Sequence, residues 1–279
     1  MDAIMERLKK AYYSYLKLPR KIRFLIVVSF FMLLFVFSVN LSQDKGENIF
    51  HQPKKSDNKS DNGGVLSGDN AGNTEKVPKE VIIVIDPGHG GEDLGATKGE
   101  LYEKKLNLDI SKRMGELLEN LGIKVIYTRD KDTDVSLDER VNIANNLNAA
   151  LYISIHNNYM PDDAGYKGTE TLYCPPVNED ENKMDGKKLA SIVQKKLVSN
   201  LKTVDNGIIY RPNLVVLRKT KMPAVIAEIA YMSNSSDREK LSNKDFRQNA
   251  AKALSEAVVE ALEDMGAEKN EKGVWTVID

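Results

Sequence analysis

The chain has 279 residues, enough for one substantial domain or two small ones, and a formal net charge of −1. Residues 1–23 carry seven Lys/Arg against Asp2 and Glu6, so the remainder carries −6, and a mildly acidic body gives no electrostatic footprint for nucleic acid. Cys174 is the only cysteine, which excludes an internal disulfide and a thiolate metal cage.

Along the chain, the basic segment 1–23 precedes Phe24–Val39, sixteen residues without a charge. We read residues 24–41 as a membrane segment, an anchor rather than a cleaved signal because no small-x-small site follows. The basic flank on its N-terminal side places residues 1–23 in the cytoplasm and everything after the segment outside it. Residues 42–79 are rich in Ser, Asp, Asn, Lys and Gly and cannot bury enough apolar surface to offset their ordering entropy. They are expected to form a flexible linker.

From 80 to 266 strand and helix signals alternate. Val81–Ile85 is a buried strand that runs into the turn Asp86-Pro87-Gly88-His89-Gly90-Gly91. Glu103–Leu121 reads as a helix with Leu106, Ile110, Met114, Leu117 and Leu121 on one stripe. Ile123–Thr128 is a strand, and Ser136 with Glu139 forms a capping box opening a helix whose inner face carries Leu137, Val141, Ala144 and Leu147. Leu151–Ile155 is a further buried strand ending at His156, and Gly168–Tyr173 a strand nearer an edge. A helix over Asp185–Leu201, two short apolar runs at Leu214–Leu217 and Ala224–Ile229, and a helix over Phe246–Met265 follow. The alternation predicts an α/β fold: one catalytic domain with a mostly parallel sheet flanked by helices on both faces. Residues 267–279 form a C-terminal tail whose packing the sequence leaves open.

Three polar residues interrupt this pattern where strands end: His89, His156 in SIHNN, and Glu228 in AVIAEIAYMSN. Glu103 is a fourth, on the buried stripe of its helix, where a carboxylate is costly without a positive partner and no Lys or Arg is an obvious one. Two imidazoles and one carboxylate are a catalytic zinc set that leaves a position for water, and a second carboxylate can serve as base. Spacing alone does not say which glutamate is the ligand. Each residue also has a structural reading: His89 as a turn cap, Glu103 as a helix N-terminal charge, Arg129 and Arg140 as ion-pair partners. The HExxH pattern is absent.

The strings VIDPGHGG, ExxxN at Glu103–Asn107, SIHNN and AEIAYMSN together resemble the zinc-dependent N-acetylmuramoyl-L-alanine amidases of the amidase-3 family, over about residues 81–265. Thr128-Arg129 and the Leu137, Arg140, Ala144, Asn145 set match further family positions. The resemblance implies that His89, Glu103 and His156 bind Zn2+ and that Glu228 is the catalytic glutamate. It implies hydrolysis of the amide between the lactyl group of N-acetylmuramic acid and L-alanine in peptidoglycan. An anchor and linker without wall-binding repeats look like the short amidases of spore-forming bacteria that act on spore cortex. Another zinc amide hydrolase of the wall, or a non-catalytic wall-binding protein, are the alternatives, and an activating protein partner is left open.

Overall fold

The computed structural model describes residues 78–174 and 183–278. In chain order these form β1 (Lys79–Glu80), β2 (Ile82–Pro87), β3 (Thr97–Lys98), β4 (Leu101–Tyr102), α1 (Glu103–Asn120), β5 (Lys124–Tyr127), α2 (Leu137–Asn146), β6 (Leu151–Asn158) and β7 (Thr169–Tyr173). Then come α3 (Gly186–Leu201), β8 (Asp205–Tyr210), α4 (Val215–Arg218), β9 (Ala224–Tyr231), α5 (Ser235–Ser242), α6 (Lys244–Asp264), β10 (Glu268–Lys269) and β11 (Trp275–Val277). The expected segments 1–23 and 24–41, and nearly all of the expected linker 42–79, lie outside the described residues. Among the described residues no helix is long and apolar enough to cross a membrane.

The central sheet has strand order β5-β2-β6-β9-β7-β8. Its first four strands are mutually parallel; β7 pairs antiparallel with β9 and parallel with β8. The sheet is thus mostly parallel, as expected, with a reversed pair at one edge. Side chains alternate between its faces. Ile83, Ile85, Leu151, Ile153, Val225 and Ala227 pack with α1, α3 and α6 in the larger core, whereas Val84, Tyr152, Leu172 and Ile226 pack with α2 and α4 in the smaller one. Helices therefore cover both faces.

Asp185 and Ser136 cap α3 and α2, each side chain accepting a backbone N–H three residues on. Leu137, expected on the inner face of α2, is instead 54% exposed. It is the first residue of the helix, where the side chain leans past the helix end rather than onto the sheet. The run Leu214–Leu217 is mostly the short helix α4. Residues 267–278, set apart in the sequence as a tail, are part of the folded unit. β11 pairs with both β1 and β10, and the buried Trp275 donates its indole N–H to the Leu121 carbonyl at 3.1 Å.

The smaller-core face holds a buried ion pair. Asp86, in register with Ser154, accepts from Arg140 Nη1, Thr128 Oγ1 and Ser154 Oγ, each at 2.6 Å. Burial opposes its charge, but the Arg140 guanidinium and the two hydroxyl donors win and hold the carboxyl below its ordinary range. A carboxyl with a depressed folded pKa contributes stability above its unfolded pKa and loses it as pH falls through the folded value. Asp86→Ala, which leaves Arg140 buried and unpaired, is expected to cost about 3–5 kcal/mol in urea unfolding. The variant's stability should also fall less steeply on acidification than that of the parent.

Candidate metal centre

The polar interruptions fall in one row. Strand parity puts Asp86 on β2, His156 on β6, Glu228 on β9 and Glu170 on β7 on the smaller-core face, toward the carboxyl ends of the parallel strands. His156 is in register with Glu228, and Glu228 with Glu170. His89 follows β2 in a tight turn: His89, Gly90 and Gly91 all have positive φ (61°, 137° and 57°). A non-glycine residue in that region is held there by its surroundings. Here Arg140 donates to the carbonyls of Pro87 and His89, and Arg129 to those of Pro87, Gly88 and Lys104. Both arginines, ambiguous in the sequence, are thus buried supports of the turn. Gly88 is required by close approach, because a methyl there would run into the His156 imidazole.

α1 begins at Glu103, and its buried carboxylate points at both histidines. Oε2 lies 3.1 Å from His89 Nε2 and Oε1 lies 3.0 Å from His156 Nδ1, while the two rings meet edge to face with centroids 4.8 Å apart. One ligand atom from each of His89, Glu103 and His156 falls within 4.8 Å of the others, a group able to hold a metal ion. The carboxylate is fixed further by the N–H groups of Ala96 on Oε2 (2.8 Å) and Asn157 on Oε1 (3.1 Å). Burial opposes its ionisation, but hydrogen bonds and charge from the two imidazoles hold its pKa far below the ordinary value.

Two residues that sequence reasoning did not single out orient these groups. Asp93 Oδ2 lies 2.7 Å from His89 Nδ1, on the opposite side of the ring from Glu103. Fully buried Asn107 donates to Glu103 Oε1 (3.3 Å) and the Gly88 carbonyl (3.1 Å), and accepts from Asn157 Nδ2 (2.8 Å). One amide therefore ties α1, the turn and β6 together. Asn107 stood in the ExxxN string, so a signal existed; Asp93 is one acid among several in its loop. Burial disfavours charge on His89, yet Glu103 and Asp93 push its pKa up to about 9.

Glu228 differs from the other carboxylates. It is partly exposed as a residue, but its Oε2 is buried without a hydrogen-bond partner. Burial, with the charges of Glu103 and Glu170 added and that of His156 opposing, pushes its pKa up to about 7. Glu170, by contrast, accepts from Asn158 Nδ2 (2.8 Å) and the Tyr231 hydroxyl (3.0 Å). Asn158, two residues past His156, is thus engaged by a neighbouring carboxylate.

A family model described as N-acetylmuramoyl-L-alanine amidase, Amidase_3, matches residues 83–260. The chain belongs to the Amidase_3 family. Among its relatives is the N-acetylmuramoyl-L-alanine amidase LytC of Bacillus subtilis, 39% identical over 63% of this chain and 34% of that protein. The chain thus spans about a third of that relative's length. The germination-specific N-acetylmuramoyl-L-alanine amidase of the same organism is 29% identical over 66% of this chain and 81% of its own. Of solved Amidase_3 structures, AmiC2 of Nostoc punctiforme superposes with a TM-score of 0.60 at 33% identity, covering 66% of this chain and 97% of that one. The CwlD amidase of Clostridioides difficile, solved in complex with the GerS lipoprotein, gives 0.60 at 27%, over 66% and 98%.

The ligand geometry makes a measurable demand. Replacing Asn107 with Leu or Asp93 with Asn should weaken divalent-cation affinity by about 10–100-fold, as loss of an orienting partner does, with the circular-dichroism spectrum kept. Because an imidazole binds metal only when neutral, affinity in the parent should climb as pH rises toward about 9, the value for His89. Competition titration across pH with a chromogenic chelator checks both.

Proposed function

We propose that this Amidase_3 chain hydrolyses the amide joining the lactyl group of N-acetylmuramic acid to L-alanine in peptidoglycan. His89, Glu103 and His156 would hold zinc, and Glu228 would move the proton. The observation that carries the reading is the convergence of three ligand atoms beside a carboxylate whose Oε2 is buried and unpartnered. A structural ion pair would not leave that oxygen unsatisfied. The donor set, two imidazoles and one carboxylate, fits a catalytic zinc site.

Zinc, when bound, polarises the amide carbonyl and lowers the pKa of water to about 7. The protein's part is proton management and alignment. Glu228 takes the proton from the attacking water as oxygen bonds to the carbonyl carbon. It then delivers that proton to the alanine nitrogen as the C–N bond breaks, leaving a muramoyl carboxylic acid and an amine, which exchange the remaining proton to become carboxylate and ammonium. A carboxyl with a pKa of about 7 is matched to both halves of that transfer near neutral pH. Glu103 stays ionised throughout, since its two histidines and backbone donors favour the anion.

The wider setting belongs to the same proposal. The basic segment 1–23 and the apolar residues 24–41 support a membrane tether with the enzyme outside the cytoplasm. Relatives named as germination-specific and sporulation-specific amidases support spore cortex as the wall that is cut. The complex of the CwlD relative with a lipoprotein supports a protein partner here too.

Incubation of the zinc-loaded chain with purified peptidoglycan should expose new N-terminal L-alanine, and a chelator should abolish it. Release of amino sugar ends instead would mean a different wall hydrolase. Glu228→Gln should retain full zinc content while turnover falls by about 10²–10⁴-fold, the usual contribution of a positioned acid–base group. An active Glu228→Gln enzyme would show the base to be elsewhere.

A further inference from the structure

The metal-binding residues open onto a cleft of about 380 Å³ whose apolar wall has no part in the proposed chemistry. His89 and His156 line one end of it, and its walls are Val135 and Leu137 at the start of α2, Leu214, Val215 and Val216 at α4, and Ile226 of β9. Its charges are nearly all spent. Asp86 and Arg140 neutralise one another, and the remaining Arg140 donors are on the carbonyls of Val135, Pro87 and His89. The other charged group, Asp93, is acidic and engaged by His89.

Away from its two histidines the cleft therefore offers an anion no free partner among the described residues and accepts a neutral, methyl-bearing group. The two sides of the scissile amide differ in this respect. The stem peptide carries carboxylates, whereas the amide-linked lactyl and acetamido groups of the muramoyl side are uncharged and each bears a methyl. The position of the proton donor adds an independent constraint. The strand residues that line the cleft belong to β2, β6 and, at Ile226, β9, and none to β7, whereas Glu228 stands on β9 opposite Glu170 of β7, so the donor is on the β7 side of the cleft. A donor there must meet the leaving nitrogen, so the nitrogen and the chain beyond it extend toward β7 and the acyl substituent points the other way.

We infer that this cleft is the acyl subsite. It receives the lactyl-muramoyl side of the substrate, while the stem peptide leaves across β9 and β7. The inference rests on the amidase reading and deepens it by fixing the polarity with which the substrate lies on the sheet.

Leu137 tests it, being 54% exposed and outside the metal and proton-transfer machinery. A glutamate at that position suits a helix N-terminus, so folding is preserved. In the full chain carrying Glu228→Gln and loaded with zinc, calorimetry would compare N-acetylmuramoyl-L-alanyl-D-isoglutamine with N-acetyl-L-alanyl-D-isoglutamine. The two share a stem and differ only in the acyl group. Leu137→Glu, which sets a carboxylate the acyl group must desolvate, should weaken the muramoyl ligand by about tenfold and leave the acetyl ligand unchanged. Leu137→Met should restore the preference. Equal weakening of both ligands would place the stem in the cleft, and no change in either would leave the cleft without a role; each result overturns the inference. Because binding is read without turnover, these outcomes are separate from failure of the parent chain to release alanine, which would count against the amidase reading.

Discussion

The centre depends on a constraint one layer beneath it: the Asp86–Arg140 pair, closed at 2.6 Å and sealed on the smaller-core face of the sheet. A buried pair adds little to net stability, because desolvation consumes most of the Coulomb gain. What this one supplies is geometry. Arg140 spends one donor on Asp86 and the others on the carbonyls of Pro87, His89 and Val135, and Arg129 adds bonds to Pro87, Gly88 and Lys104. The turn after β2 therefore has its carbonyls tied down while His89 is held at a φ of 61°. The Asp86 carboxylate anchors this arrangement from within the strand, so the backbone that carries His89 is set by groups that never touch its ring.

From that anchor the site assembles by register rather than by loops. His156 and Glu228 are on neighbouring parallel strands, and their shared pairing level fixes their separation more rigidly than a loop would. The reversal of β7 has a consequence for charge. It sets Glu170 opposite Glu228 on the same face, where two like charges disfavour one another. Glu170 has two donors to satisfy its oxygens, whereas Glu228 has an orphaned Oε2 and a carboxyl whose pKa burial pushes up to about 7. Two adjacent carboxylates thus differ in their hydrogen bonding because of their environments alone.

Much of this was legible in the sequence, for reasons that differ by residue. The strand-to-turn change at Ile85–Gly91 and the stripe of α1 are local patterns, and local patterns survive folding. His156 and Glu228 stood out because polar residues in apolar runs need partners. Glu103 could be suspected for the same reason, but the identity of its partners, two histidines and two backbone amides, exists only once β2, β6 and α1 are brought together. Asp93 was hidden in an acidic loop, and β8 was missed because its half-exposed DNGIIY carries no clean alternation. Arg129 and Arg140 could be suspected as ion-pair partners but not as buried supports of the turn, since sequence gives charge but not burial. The Leu137 assignment failed by one position: the helical stripe was read correctly, yet at the first turn the side chain has no preceding turn to lie on.

The same failure at Leu137 explains why the face carries function at all. A sheet face fully covered by helices would bury every strand residue, and a row of His, Glu and Glu there would be unaffordable. Here α2 begins only at Leu137 and α4 spans four residues, Val215–Arg218, so the helical layer stops short of the strand ends. Where it stops, apolar side chains at its edge such as Leu137, Leu214 and Val215 wall a cleft, and polar side chains on the next pleat reach the opening. The short layer thus sets both the position of the centre and the apolar character of the space beside it.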